Sequence, residues 1–153
     1  MNPATFIDDL KARAQKLGKH IVYPDATDER AIQAARIATD EQLARITLVG
    51  AEQVIRDKAA SINVSLDGIA VVDPASSEHI DDFADTNYEL RKHKGMTPEE
   101  ARKTVEHPLF FGDLMVRKGL ADGSVAGSLS TTGDVIKAGL HCIGLKEGIK
   151  TVS

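Results

Sequence analysis

Ala121-Asp122-Gly123-Ser124-Val125-Ala126-Gly127-Ser128-Leu129-Ser130-Thr131-Thr132-Gly133-Asp134 is the stretch whose reading decides the fold. Residues 124–127 are small and largely apolar, which fits a short buried strand. Residues 128–132 are rich in hydroxyls. Gly133 or Asp134 then opens a helix that runs to about Gly144. A helix start presents backbone N–H groups without intrahelical partners and a partial positive charge. Serine and threonine hydroxyls add donors, and glycine allows close approach. Such a turn suits a phosphate or a carboxylate. The same residues also describe an ordinary capped helix start after a polar loop, and both readings stand at this level.

Working outward, strand and helix alternate along the chain. Asn2, Pro3 and Gly18 bracket a first helix, with Phe6, Leu10, Ala14 and Leu17 on one face. Residues 20–23 read as a strand cut off by Pro24. Asp28 caps a helix running to about Gln42. Residues 46–49 form a second strand, 51–60 a helix and 69–72 a third strand. Helix follows over 78–94, ended by Gly95. Thr97-Pro98-Glu99-Glu100 has the pattern of a capping box, and Pro108 opens a helix ending at Gly119. Residues 151–153 begin one more strand. Helices between strands imply crossovers, so the expectation is a three-layer α/β/α sandwich around a mainly parallel sheet.

Composition bounds the function classes. At 153 residues, with 42% apolar and 27% charged side chains, the chain is one globular domain able to bury about 70% of its unfolded surface. A net charge of −4 speaks against nucleic acid as a partner. No apolar run approaches the roughly 20 residues of a membrane span. The start carries Asp8, Asp9, Lys11 and Arg13 and does not read as a signal peptide. Cys142 is the only cysteine, which excludes an internal disulfide and points to a cytoplasmic setting. It reads as a small buried apolar side chain. The five histidines show no metal-ligand spacing, so no metal site and no cofactor are expected. Neither a P-loop nor GxGxxG is present.

Two further segments could reach a ligand. Arg91-Lys92-His93-Lys94 crowds cations at a helix end, where they complement the helix dipole and face solvent. Arg91 differs from its neighbours in carrying a planar fork that can hold phosphate in two hydrogen bonds. Pro24-Asp25-Ala26-Thr27-Asp28-Glu29-Arg30 joins the first strand to its helix. There Arg30 could enter the cleft or pair with Glu29 or Asp25.

Taken together, the segments resemble the phosphate acetyltransferase (phosphotransacetylase) family. The matching stretches are Ile21-Val22-Tyr23-Pro24-Asp25 with Asp28 and Arg30, Ile46-Thr47-Leu48-Val49-Gly50, Tyr88-Glu89-Leu90-Arg91-Lys92-His93-Lys94-Gly95, and Ala121 to Asp134. The resemblance implies reversible transfer of an acetyl group between acetyl phosphate and coenzyme A, giving acetyl-CoA and phosphate. Coenzyme A is a substrate there, and the full-length enzyme is expected as a homodimer. The implied substrate-binding residues are Arg91, Thr131, Thr132, Lys137, Ser130 and Arg30. Lys137 stands where the family has an arginine, which keeps the charge and loses the fork. The family is longer, with two domains and a thiol base in a later segment. This chain would then be an incomplete first domain that lacks the base and is inactive alone. Phosphate butyryltransferase and a non-catalytic phosphotransacetylase-like module are the alternatives.

Overall fold

The computed structural model describes residues 3–150, with side chains from residue 5. Asn2 and the strand expected at 151–153 lie outside the described residues. The elements are α1 (Pro3–Leu17), β1 (His20–Tyr23), α2 (Glu29–Asp40), β2 (Arg45–Val49), α3 (Glu52–Ser61), β3 (Ala70–Val72), α4 (Ile80–Arg91), α5 (Pro98–Val105), α6 (Pro108–Arg117), β4 (Gly123–Ser124) and α7 (Thr132–Cys142). All strand pairs are parallel, in the order β3-β2-β1-β4.

Strand periodicity sorts the core into two layers. Successive side chains on a strand point to opposite faces. Val22 and Val49 accordingly join one cluster with Phe83, Val105, Phe111, Leu114 and Cys142, beneath α4 to α7. Ile46 and Leu48 join the other with Ile32, Ala35, Ile55 and Ala59, beneath α2 and α3. The expected α/β/α sandwich is present. α6 runs close over β1 because Gly112 has no Cβ: one added there would meet Pro24 Cγ at 3.0 Å.

The helix starts follow local chemistry. Thr97 and Glu100 form the reciprocal capping box, and Asp28 caps α2 by accepting from the Arg30 amide. His107 caps α6 by accepting from Leu109 N–H. Three expectations differ in detail. The strand expected at 124–127 is paired only over Gly123–Ser124, with one further bond from Val125 N–H to the Val22 carbonyl. Beyond it the backbone turns to wrap a carboxylate, as described below. The helix expected to reach Lys94 ends as α-helix at Arg91, and residues 92–94 form a single tighter turn before Gly95 at φ +87°. The apolar face of α1 is exposed among the described residues, with Phe6 at 50% and Leu17 at 63%. A Lys11–Glu41 ion pair and a Gln15 bond to the Glu41 carbonyl join α1 to the body.

Candidate functional site

The chain builds β1, β2 and β3 outward on one side, then returns to place β4 on the other side of β1. The carboxyl ends of β1 and β4 therefore flank a topological switch point. This is where open parallel sheets bind ligands. The segment after β1 supplies Asp25, and the segment after β4 supplies the turn at 127–130.

Asp25 fills that turn. Its Oδ2 accepts from the amides of Gly127 at 2.6 Å, Ser128 at 2.9 Å, Leu129 at 3.2 Å and Ser130 at 3.3 Å. Its Oδ1 accepts from the Ser130 hydroxyl at 2.5 Å. The residue is 6% exposed. Burial pushes its carboxyl up, but the Ser130 hydroxyl and the amides of Gly127, Leu129 and Ser130 outweigh it and hold the group below its ordinary range. The expectation of free N–H groups across the whole turn is thus corrected: the first four are already bound to an anion belonging to the chain. Arg30 holds the same loop from the other side. The sequence leaves Arg30 open between the cleft, Glu29 and Asp25; its guanidinium grips Asp28 instead and donates to the Ser128 carbonyl at 2.7 Å.

Thr131 caps α7. Its Oγ1 accepts from Asp134 N–H and donates to the Asp134 carboxylate at 2.6 Å. The amides of Thr132 and Gly133, the first two of α7, have no acceptor among the described residues. The Thr132 side chain is exposed. The open donors therefore lie one step further into the helix than the glycine and serines of the turn.

Arg91 on α4 and Lys137 on α7 both lie within electrostatic reach of His141. Burial comes first in holding the His141 imidazole below its ordinary range, and the charges of Arg91 and Lys137 lower it further. Among the four basic residues that end α4, Lys92 pairs with Glu89, and His93 and Lys94 are exposed. Arg91 is half-buried, and its Nε is buried without a hydrogen-bond partner among the described residues. The structure thus separates Arg91 from the solvated cations beside it. Two open grooves of about 400 Å³ share Met96, Glu100 and Thr104; Arg91 lines one, Lys137 and His141 the other. His107 links the Lys137 groove to a recess of about 350 Å³ bounded by Asp25, Leu129, Ser130 and Asp134. At a rise of about 1.5 Å per residue, Lys137 stands roughly 7 Å along α7 from the open amides.

Cys142 lies fully buried. Burial, with the nearby Asp113 charge adding to it, pushes its thiol up to about 12. Such a thiol is no nucleophile at neutral pH. N-ethylmaleimide should leave it unmodified in the folded chain and label it fully in urea; equal labelling rates in the two states would contradict its burial. No cluster of three potential metal ligands occurs among the described residues.

Residues 5–153 match the family described as phosphate acetyl/butaryl transferase. The chain belongs to this family. It is 40% identical to a phosphate acetyltransferase of Acetivibrio thermocellus over 97% of its own length, which is 44% of that relative. It is 37% identical to the phosphate acetyltransferase of Treponema pallidum, covering 45% of it. Two solved folds are alike. A phosphotransacetylase from Streptococcus pyogenes has a TM-score of 0.91 at 27% identity, with 99% of this chain and 46% of that one aligned. The EutD phosphotransacetylase from Staphylococcus aureus has a TM-score of 0.87 at 29% identity, over 97% of this chain and 44% of that one. The chain therefore spans less than half the length of these relatives. Sequence reasoning names Asp25 only as a possible partner of Arg30; its place in the turn depends on β4 lying beside β1.

Proposed function

We propose that the chain forms the phosphate-holding wall of an enzyme that transfers an acetyl group reversibly between acetyl phosphate and coenzyme A. One arrangement carries this reading: the first two amides of α7 have no acceptor among the described residues, and further along that helix His141 feels the charges of both Lys137 and the half-buried Arg91, whose Nε has no partner among the described residues. A helix N-terminus flanked by cations complements a phosphate dianion. In the forward direction the coenzyme A sulfur attacks the acetyl carbonyl carbon. A C–S bond forms and the C–O bond to phosphate breaks. Phosphate leaves with the electron pair, and the thiol proton passes to a carboxylate base outside these residues. The wall stabilises the charge growing on the leaving phosphate. The names of the relatives favour acetyl over butyryl as the acyl group. A cytoplasmic setting fits the single free cysteine. The exposed apolar residues of α1 (Phe6, Leu10 and Leu17) and of α7 with the residue that ends it (Ile136, Leu140 and Ile143) suit the packing of the remaining fold and a second copy.

Phosphate titration followed by 31P NMR tests the reading. The chain alone should bind phosphate weakly and form almost no acetyl-CoA. Arg91→Ala should weaken phosphate binding by about tenfold or more, the value of one hydrogen bond to a charged group. Lys137→Arg should tighten it by restoring the fork. Unchanged affinity in Arg91→Ala would leave Arg91 a helix-end cation only. Turnover by these 153 residues at the rate of a full-length relative would defeat the proposal that the base lies elsewhere.

A further inference from the structure

We propose that Asp25 is the positioning residue of the phosphate wall: it occupies the anion nest at residues 127–130 and confines the substrate phosphate to the amides of Thr132 and Gly133. The role assigned to the phosphate rests on the functional reading above; the occupation of the nest by Asp25 does not.

Four consecutive amides converging on one oxygen form a concavity suited to an anion. In many proteins such a turn would receive the ligand directly. Here a side chain from a different strand has taken the place, with all four N–H groups and the Ser130 hydroxyl satisfied by a single buried carboxylate. The Arg30 bond to the Ser128 carbonyl closes the same loop from outside. The turn is consequently held at both its donors and an acceptor, about 100 residues along the chain from Asp25 and Arg30.

This has two effects on the wall. The nest cannot take a substrate anion unless Asp25 leaves, and leaving would strip a buried carboxylate of five donors at once. The fixed turn also delivers Thr131 to its capping position, so the direction of α7 and the place of its open amides follow from Asp25. A loop of serines and glycine would otherwise sample many conformations, and immobilising it beforehand lowers the ordering cost of binding. Asp25 also lines the recess that Ser130 and Asp134 bound.

The variants are Asp25→Asn and Asp25→Ala, each followed by 1H–15N spectra during titration with inorganic phosphate and, separately, with formate. In the parent chain, phosphate should move the Thr132 and Gly133 amide signals and leave those of 127–130 in place. In Asp25→Asn, which retains the shape but not the charge, phosphate affinity should fall at least tenfold while core amide signals persist. In Asp25→Ala, formate should enter the vacated nest, move the 127–130 signals and raise the melting temperature, with no such effect on the parent. Phosphate displacing Asp25 in the parent, seen as movement of the 127–130 signals, would overturn the inference. So would parental phosphate affinity in Asp25→Asn, or absence of any formate response in Asp25→Ala. Should the Ala variant not fold unaided, folding induced by formate supports the inference, and the Asn variant decides the affinity claim. If the parent binds no phosphate, the functional reading fails, and the formate response alone judges whether Asp25 fills a nest.

Discussion

Truncating Phe111 to alanine is expected to remove about 3–5 kcal/mol of stability, the usual cost of emptying a buried phenylalanine site. Phe111 on α6 is fully buried, and its ring centre lies 4.8 Å from that of Phe83 on α4 at a tilt of 53°. Tilted aromatic pairs of this kind add a specific attraction to the area they bury. The chain has no tryptophan and only four phenylalanines, so two of its largest apolar side chains meet here. A domain of this size has about 5–15 kcal/mol in total, and the variant should fall near its unfolding midpoint at physiological temperature. The effect reaches the candidate site through the next residue. Gly112 lets α6 sit against Pro24, so a collapsing Phe111 cavity shifts the segment that carries Asp25. Urea unfolding measures the first consequence and amide exchange at 127–130 the second. A loss below about 1 kcal/mol would show that the layer beneath α4 to α7 is not close-packed around this ring.

Asp113→Asn should act in the opposite direction. Asp113 follows on the same helix and is 6% exposed. Burial pushes its carboxyl up to about 6, with the Ser124 hydroxyl pulling it part of the way back. In the unfolded chain the group titrates near its ordinary value, about 4. Between those two values the folded state binds more protons than the unfolded one. Stability therefore falls as pH rises from about 4 to about 6 and stays reduced above that. At about 1.4 kcal/mol per unit, two units amount to roughly 3 kcal/mol at most. An asparagine carries no charge to desolvate. The variant should melt several degrees higher than the parent at pH 7 and lose most of that advantage near pH 4. Asp25 works with the other sign: its lowered carboxyl stabilises the fold above its unfolded value, and that contribution fades only as pH falls through the folded one. Thermal melts of both proteins at pH 4 and pH 7 separate the two effects. An asparagine variant no more stable than the parent at pH 7 would mean that Asp113 is solvated or paired in solution.

The position of Asp113 also accounts for Cys142. The carboxylate lies beneath α7, where it would meet a Cβ at Gly139 at 4.0 Å, and its charge further raises a thiol already raised by burial. Small residues on α7 thus let a carboxylate and a thiol share the interface between α6 and α7. Neither is exposed to a ligand in the open grooves.

The amino-acid sequence by itself determined whatever depends on neighbours along the chain. Strand positions showed in runs rich in β-branched residues such as Ile21-Val22 and Ile46-Thr47-Leu48-Val49, because side-chain period and burial are local properties of a strand. Helix starts showed in Asp28, in Thr97 with Glu100, and in Pro108, because capping and first-turn preferences act within three residues. The resemblance and the cations at 91–94 were legible for the same reason. Tertiary structure alone decided which strands lie side by side, since nothing local encodes the order β3-β2-β1-β4. That order put Asp25 against a turn about a hundred residues away and changed the meaning of the glycine and serines there, from open donors to a closed nest. It also set Arg91 apart from its neighbours: Lys92, His93 and Lys94 are exposed, whereas Arg91 is half-buried and its charge reaches His141 on α7. An anion site depends on which donors remain unpaired, and pairing across the sheet is settled only when the chain has folded.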